Sequence, residues 1–274
     1  MKSKVKKLAN WLFRLFAFIV VILGVVIGCM WYQDYQEMKY WERLAEKKGT
    51  RQELTESDIL PEYQALYQQN QDLIGWIKVE NTKIDYPVMQ TKEQPQYYLR
   101  RNFDEKYDSM GTPFADYRCE VLSPRSYNVI VYGHYTDSGG MFRWLLNYNF
   151  KGLYERKKFI QFDTLTEKGI YEIVAAFYYD ASETVLKDVG DEEKEEAYEF
   201  YNYIETNGSD GYKRFKKLVD ERKLYETESD FDETDELLTL ICCAPKEYSE
   251  SDDGRFVVIA KKLGKNWKKV SDER

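Results

Sequence analysis

The sequence predicts a mainly β domain that follows one transmembrane helix and has a helical insertion before its last two strands. Short runs of β-branched and apolar residues bounded by turn residues predict the strands, most clearly at 129–132 and 237–241. The charge-free apolar run at 15–31 predicts the transmembrane helix. Two segments of helical character, at 191–205 and 212–222, predict the insertion.

Composition fits a packed domain and disfavours one class of partner. The 274 residues are 43% hydrophobic and 16% aromatic, which suits a folded core and not a disordered chain. The formal net charge is −8. Without a surplus of Lys and Arg for phosphates, we expect no nucleic-acid partner.

The apolar run lies near the N-terminus. Together with residues 11–13 it is long enough for a bilayer core of roughly 30 Å at about 1.5 Å per residue. The basic residues before it favour a cytoplasmic N-terminus. We therefore predict a cytoplasmic tail at 1–10, a signal-anchor at 11–32, and a single-pass protein of the cell membrane whose remaining residues are extracellular.

Two other interpretations of the apolar run are weaker. A cleaved signal peptide would have a shorter apolar core and an exit of the small-x-small type, which is not evident. Residues 26–29 faintly resemble a lipoprotein cleavage box but lack its usual Leu.

Helices are predicted to connect this segment to the domain. Residues 34–48 are charged and aromatic without a helix breaker, and residues 61–69 begin with proline, which is favoured in the first helical turn. The predicted organisation is an extracellular helical linker at 33–70 and the main folded domain at 71–274.

The domain itself begins with short strands and turns. Strands are predicted at 76–79 and 83–88 around a turn at 81–82, and at 158–162 and 169–178. The last of these is apolar on both faces, so we expect both faces to be covered. Short helical pieces are predicted at 97–99 and 141–148, and a break between the two insertion helices at 207–211.

Three reactive side chains lie at strand ends. The strand at 237–241 runs into Cys242 and Cys243, and Arg255 opens the next strand, so a hairpin-like return would bring thiol and guanidinium together. His134, the only histidine, follows the strand at 129–132. An imidazole favours the thiolate, and an arginine can stabilise a developing oxyanion. The set therefore suits nucleophilic catalysis.

Each residue alone has a plainer interpretation: a buried thiol, an exposed histidine, a surface arginine. A zinc site of Cys242, Cys243 and His134 lacks the usual ligand spacing, so we predict no metal and no cofactor. A vicinal-dithiol redox sensor would need both thiols equally. Successive strand residues point to opposite faces, so both thiols cannot face His134.

Several motifs together resemble the class B sortases. The segment 239–243, Thr-Leu-Ile-Cys-Cys, resembles the sortase signature Thr-Leu-x-Thr-Cys, and 254–258 and 131–134 resemble the sortase Arg and His motifs. Segments 74–77 and 84–90 are similar to the opening strands of the class. Matched residue by residue, the resemblance implies Cys243 as nucleophile, His134 as acid and base, and Arg255 as the oxyanion or substrate-orienting residue. Cys242 stands where the family has Thr, which leaves the choice of thiol open, although the motif favours Cys243.

The resemblance implies a sortase-type closed β-barrel of about eight strands with N-terminal helices. It also implies a membrane-anchored cysteine transpeptidase. Such an enzyme cleaves the C-terminal sorting signal of a secreted protein through a thioester and joins that protein to a peptidoglycan amine. Its implied partners are a surface protein bearing a sorting signal, a peptidoglycan precursor amine and the cytoplasmic membrane. The alternatives are a thiol peptidase that uses water and a membrane-tethered binding module with a degenerate site.

Overall fold

The computed structural model describes residues 2–46, 59–121, 124–136, 139–181, 200–205, 208–245 and 253–264. These residues belong to two compact units, Met1–Leu44 and Ala45–Arg274. The domain boundaries predicted from the sequence, at 10, 32 and 70, stay a prediction.

Helix α1, Lys2–Glu46, forms nearly all of the first unit. It includes the apolar run, and its described apolar side chains between residues 15 and 27 are exposed. Among the described residues, no helix is both long enough and apolar enough to cross a membrane. The transmembrane helix predicted at 11–32 is therefore not supported: the helix is present there, but it does not combine the required length and apolarity.

The second unit is a closed barrel of eight strands in the order β1–β2–β3–β4–β7–β8–β6–β5. Most neighbours are antiparallel, and the β2–β3 and β4–β7 pairs are parallel. The barrel confirms the predicted mainly β fold. The strands are β1 Leu73–Lys78, β2 Asp85–Met89, β3 Phe114–Ala115, β4 Asn128–Tyr132, β5 Phe159–Thr164, β6 Ile170–Asp180, β7 Leu237–Cys243 and β8 Gly254–Lys262.

Short helices decorate this barrel. The α-helices are α2 Pro61–Gln69, α3 Lys151–Tyr154 and α4 Gly208–Arg222. Single 3₁₀ helices lie at Tyr97–Arg100, Phe142–Asn149 and Phe200–Asn202. Helix α2 has the predicted bounds, with Pro61 in its first turn. The helical pieces predicted at 97–99 and 141–148 are the first two 3₁₀ helices.

The insertion before β7 can be compared with its prediction only in part. Most of the helix predicted at 191–205 lies outside the described residues, and its described end is the 3₁₀ helix Phe200–Asn202. The break predicted at 207–211 is wrong from Gly208 onward, because α4 begins there. Asp210 in the first turn of α4 interacts favourably with the positive end of the helix dipole, so the polar composition of this segment favours a helix start.

The core explains why β6, β7 and β8 are apolar on both faces. One set of side chains faces the barrel interior, and the other contributes to a buried cluster with the insertion that includes Phe177, Ile241 and Val257. Phe215 of α4 belongs to the same cluster and stacks on Tyr203 with ring centroids 4.0 Å apart. The prediction that the strand at 169–178 has both faces covered is confirmed.

Candidate active site

The parallel pairing of β4 and β7 brings two distant segments to one end of the barrel. Tyr132 lies beside Ile241, and the Gly133 amide donates a hydrogen bond to the Ile241 carbonyl at 3.0 Å. Parallel strands end on the same side, so the residues that follow each strand share one edge. His134 and Cys243, each two positions beyond this pair, therefore meet at the same edge.

A buried polar pair fixes this register. The Thr239 hydroxyl donates to the Asn128 side-chain oxygen at 2.8 Å, and both residues are fully buried. The Asn128 side-chain amide donates in turn to the Tyr203 carbonyl at 2.9 Å. A slip of one residue would leave these buried groups without partners, which costs about 1–3 kcal/mol for each group. The pair therefore stabilises the alignment that the site needs.

The thiol and the guanidinium lie opposite each other on a hairpin. Strands β7 and β8 are antiparallel, and Cys243 is the partner of Arg255 in their register. The Ala244 amide closes the end of the pairing with a hydrogen bond to the Gly254 carbonyl at 2.9 Å. The hairpin-like pairing of the two strands that the sequence predicts is thus present.

A groove of about 440 Å³ opens at this edge of the barrel. His134, Cys243 and Arg255 all line it, so the three residues singled out in the sequence share one cavity. Its other walls come from the segments before and after β3, from β4 and β7, from the end of β6 and from the insertion; they include Pro95, Gln96, Leu99, Asp116, Tyr117, Tyr132, Ala181, Tyr201 and Cys242.

The two adjacent thiols occupy different environments. Cys243 is exposed, whereas Cys242 is only 2% exposed. Burial raises the pKa of the Cys242 thiol well above its ordinary value, so this group stays protonated at neutral pH. None of the four cysteines forms a disulfide. Both cysteines contribute to the groove wall, but Cys243 is the accessible thiol and Cys242 is buried.

His134 is oriented by a backbone carbonyl. Its Nε2 lies 3.0 Å from the Leu99 carbonyl oxygen. Because a carbonyl only accepts hydrogen bonds, Nε2 carries the proton in the neutral ring, and Nδ1 has the lone pair. Burial and then the nearby Arg100 charge lower the pKa of His134, so neutral imidazole dominates at pH 7. The ring is thus prepared to accept a proton at Nδ1.

Arg255 is half-buried and held close to its own backbone. Its Nη1 donates to the Gly254 carbonyl at 3.0 Å, and its Nη2 lies 3.6 Å from the Asp253 carboxylate. The side chain is 30% exposed, which leaves part of the guanidinium open to the groove. Tyr179 is its partner on β6, on the side away from Cys243.

Gly133 is required by close packing beneath His134. A Cβ atom placed on Gly133 would lie 2.5 Å from the ring of Phe142, which is fully buried. The Phe142 amide donates to the His134 carbonyl at 2.9 Å, so movement of Phe142 would disturb the histidine.

We therefore expect Gly133→Ala to lower the free energy of unfolding by about 1–3 kcal/mol, the usual cost of overpacking. The measurement is urea denaturation of the full-length chain. Gly152→Ala is the matched control, because a Cβ there meets no atom within 4 Å. Equal stability of the two variants would contradict the packing argument.

Four groove features were not anticipated from the sequence. The Leu99 carbonyl is a backbone group that no residue pattern marks. Asp116, Arg118 and Tyr201 form a connected set beside the groove, with Arg118 donating to the other two. In the sequence, the only sign of this set is that Asp116 and Arg118 stand close together at a strand end. Such charge pairs are common on protein surfaces, so this spacing alone does not indicate a functional site.

Comparison with known proteins finds relatives that are both sortase B proteins. No protein-family model matches the chain. Sortase B of Staphylococcus aureus is 29% identical over 245 residues, which cover 89% of this chain and 91% of that protein. Sortase B of Listeria monocytogenes is 28% identical over 217 residues, which cover 76% of each.

The structural comparison agrees. A solved Staphylococcus aureus sortase B–substrate complex superposes with a TM-score of 0.70 at 26% identity. The match covers 85% of this chain and 99% of that one. The two relatives and the solved structure are all sortase B proteins, and each match covers at least 76% of this chain.

Proposed function

Since the chain belongs to the class B sortases and is a cysteine transpeptidase, we propose that it joins secreted proteins bearing a C-terminal sorting signal to a peptidoglycan amine. The observation that carries this proposal is the single groove lined by Cys243, His134 and Arg255. The roles that the resemblance implies for these residues are compatible with their exposure and surroundings.

In the first proposed step, the Cys243 sulfur attacks the scissile carbonyl carbon of the donor peptide. His134 accepts the thiol proton at Nδ1, since Nε2 donates to the Leu99 carbonyl. The carbonyl oxygen becomes anionic beside Arg255, whose positive charge stabilises it. When the C–N bond breaks, His134 returns the proton to the leaving amine. The products are a thioester on Cys243 and the released C-terminal fragment.

In the second step, an amine attacks the thioester carbonyl. His134 at Nδ1 takes a proton from the attacking nitrogen, and Arg255 again faces the oxyanion. The C–S bond then breaks, an amide forms, and the proton passes to the departing sulfur. Cys243 returns to its starting state, so the cycle needs no cofactor.

The test is product analysis with the purified full-length chain. A panel of sorting-signal peptides is incubated with an amine acceptor, and products are identified by mass spectrometry. We expect the amide of the peptide's N-terminal part with the acceptor. Hydrolysis products alone, at every acceptor concentration, would favour the thiol peptidase over the transpeptidase.

Arg255→Lys is expected to lower kcat/KM about 10²-fold, the usual effect of removing one oxyanion donor. Lysine keeps the charge but loses the planar set of donors. The measurement is steady-state transpeptidation with a donor peptide. Arg156→Lys is a matched control, because Arg156 is exposed and does not line the groove. A change in Arg255→Lys no larger than in this control would remove Arg255 from the mechanism.

We further propose that catalysis takes place at the outer face of the cell membrane, with the N-terminus in the cytoplasm. The exposed apolar side chains of α1 and the lysines before them support this location. Cell fractionation with protease treatment of intact cells tests it, comparing the full chain with a variant that lacks residues 1–32. Recovery of both proteins in the cytosolic fraction would contradict the location.

A further inference from the structure

An ion pair between buried Asp116 and the more exposed Arg118 lies beside the groove and also holds a segment of the insertion. Asp116 follows β3 and is 5% exposed. The Arg118 guanidinium donates to both of its carboxylate oxygens, from Nε at 2.9 Å and from Nη2 at 2.8 Å. The Tyr132 hydroxyl donates to the same carboxylate at 3.0 Å. This bidentate arrangement fixes the plane of the guanidinium.

The other edge of Arg118 reaches the insertion. Nη1 donates to the Asn202 side-chain oxygen at 2.7 Å, and Nη2 donates to the Tyr201 carbonyl at 2.9 Å. Both acceptors belong to the 3₁₀ helix Phe200–Asn202. One side chain therefore links the end of β3 to a segment more than 80 residues further along the chain.

That segment contributes a wall of the groove. Tyr201 lines the same cavity as Cys243 and Arg255. Its ring meets the ring of Tyr179 edge-on at 6.3 Å, and Tyr179 is the β6 partner of Arg255. The position of the Tyr201 ring is thus tied to the strand that presents the guanidinium.

The segment is anchored independently on its far side. The Tyr203 ring packs in the core against Phe215, and the Tyr203 and Ile204 carbonyls accept hydrogen bonds from Asn128. These contacts hold residues 203–204 whether or not Arg118 is present. Loss of the Arg118 contacts is therefore expected to loosen Tyr201 without unfolding the insertion.

We propose that Arg118 is a positioning residue that, held by Asp116, fixes Tyr201 as a wall of the donor-peptide groove. The proposal rests on the proposed function, because the occupant of the groove is the donor peptide. Arg118 touches none of the reacting atoms. Its role is to keep an aromatic surface in place, so its loss weakens donor binding and leaves the chemical step intact.

Arg118→Lys is the first variant, because lysine keeps a positive charge beside buried Asp116 but cannot form the fork. We expect KM for the donor peptide to rise about tenfold with kcat within about twofold, since one or two hydrogen bonds are lost. Tyr201→Ala should give a similar rise. The double variant should be no worse than either single variant, because both changes remove the same wall. Additive effects would overturn the proposal.

A second measurement does not depend on turnover. Hydrogen exchange of the peptide spanning residues 200–205 should be about tenfold faster in Arg118→Lys, as expected when a local anchor is lost. Lys92→Ala is the control, because Lys92 binds the Cys119 carbonyl and Glu120 next to Arg118 but has no hydrogen bond to the described residues of the insertion. Unchanged exchange in Arg118→Lys, or equal acceleration in the control, would overturn the anchoring.

Failure of the proposed function has a different signature. Donor binding can be measured as protection of Cys243 from a small alkylating reagent. Wild-type chain that no sorting-signal peptide protects would contradict the proposed function, while the exchange experiment still decides whether Arg118 holds the segment. Protection equal in wild type and Arg118→Lys, together with faster exchange, would overturn the positioning role itself.

Discussion

Cys243→Ala is expected to abolish transpeptidation, with a loss of about 10⁴-fold or more in kcat, because no other accessible thiol lines the groove at this position. Alanine removes the sulfur without adding bulk at an exposed strand end, so the fold should persist. The measurement is the rate of amide formation between a sorting-signal peptide and an amine, with folding checked by circular dichroism.

The neighbouring thiol supplies the matched control. Cys242→Ala removes a buried thiol on the opposite face of the strand, so we expect kcat within about threefold of wild type and a modest loss of stability, about 1 kcal/mol. Equal losses of activity in the two variants would favour the vicinal-dithiol sensor. Retained activity in Cys243→Ala would exclude Cys243 as the nucleophile.

His134→Gln is expected to lower kcat by about 10²–10⁴-fold, the range for loss of a general acid and base. The glutamine amide nitrogen reaches about as far as Nε2 and can donate to the Leu99 carbonyl, so the local hydrogen bond is retained while the titrating group is removed. The measurement is single-turnover acylation and steady-state transpeptidation in parallel. A variant that acylates and transfers at wild-type rates would contradict the assignment.

The pH dependence follows from the surroundings of this ring. Burial and the Arg100 charge lower the pKa of His134, so its protonated form becomes dominant only below the ordinary value of about 6.5. Protonated imidazole cannot accept the thiol proton. The acid limb of kcat/KM should therefore lie below about pH 6.5, with activity falling as the pH decreases through it.

Arg100→Gln tests the sign of this effect. Removing the cation should raise the pKa of His134 and move the acid limb to higher pH. The lowered pKa of His134 in the wild type also affects stability. A histidine whose pKa is lower in the folded state than in the unfolded state destabilises the fold as the pH falls below the unfolded pKa. An acid limb that stays in place or moves to lower pH would contradict the electrostatic argument.

Sequence patterns predict the strands because each strand is marked individually, whereas the closed barrel was implied only by the resemblance to the sortases. Apolar runs that end in turn residues mark β4, β7 and β8, and proline at a first turn marks α2. Gly208, however, lies in the predicted break, since glycine and polar residues are common in loops. The same residue types are also favoured at helix starts, and α4 begins there. The apolar N-terminal run did predict a helix, but the predicted membrane span was not supported.

The site was predictable only in part, for a physical reason. Cys243, His134 and Arg255 stand in motifs next to strand ends, so the residue pattern marks them. The Leu99 carbonyl and the Arg118 contacts depend on which distant segments the barrel brings together. Strand alternation allows only one of Cys242 and Cys243 to face His134, but it does not say which one. The burial of Cys242 leaves Cys243 as the accessible thiol.

The most direct measurement is the intact mass of the full-length chain after incubation with a sorting-signal peptide in the absence of amine. Wild type, Cys242→Ala and Cys243→Ala are compared side by side. Accumulation of an acyl adduct on wild type and Cys242→Ala, and its absence from Cys243→Ala, is the predicted result. An adduct that persists on Cys243→Ala, or that is lost only from Cys242→Ala, would contradict the assignment of Cys243 as the nucleophile.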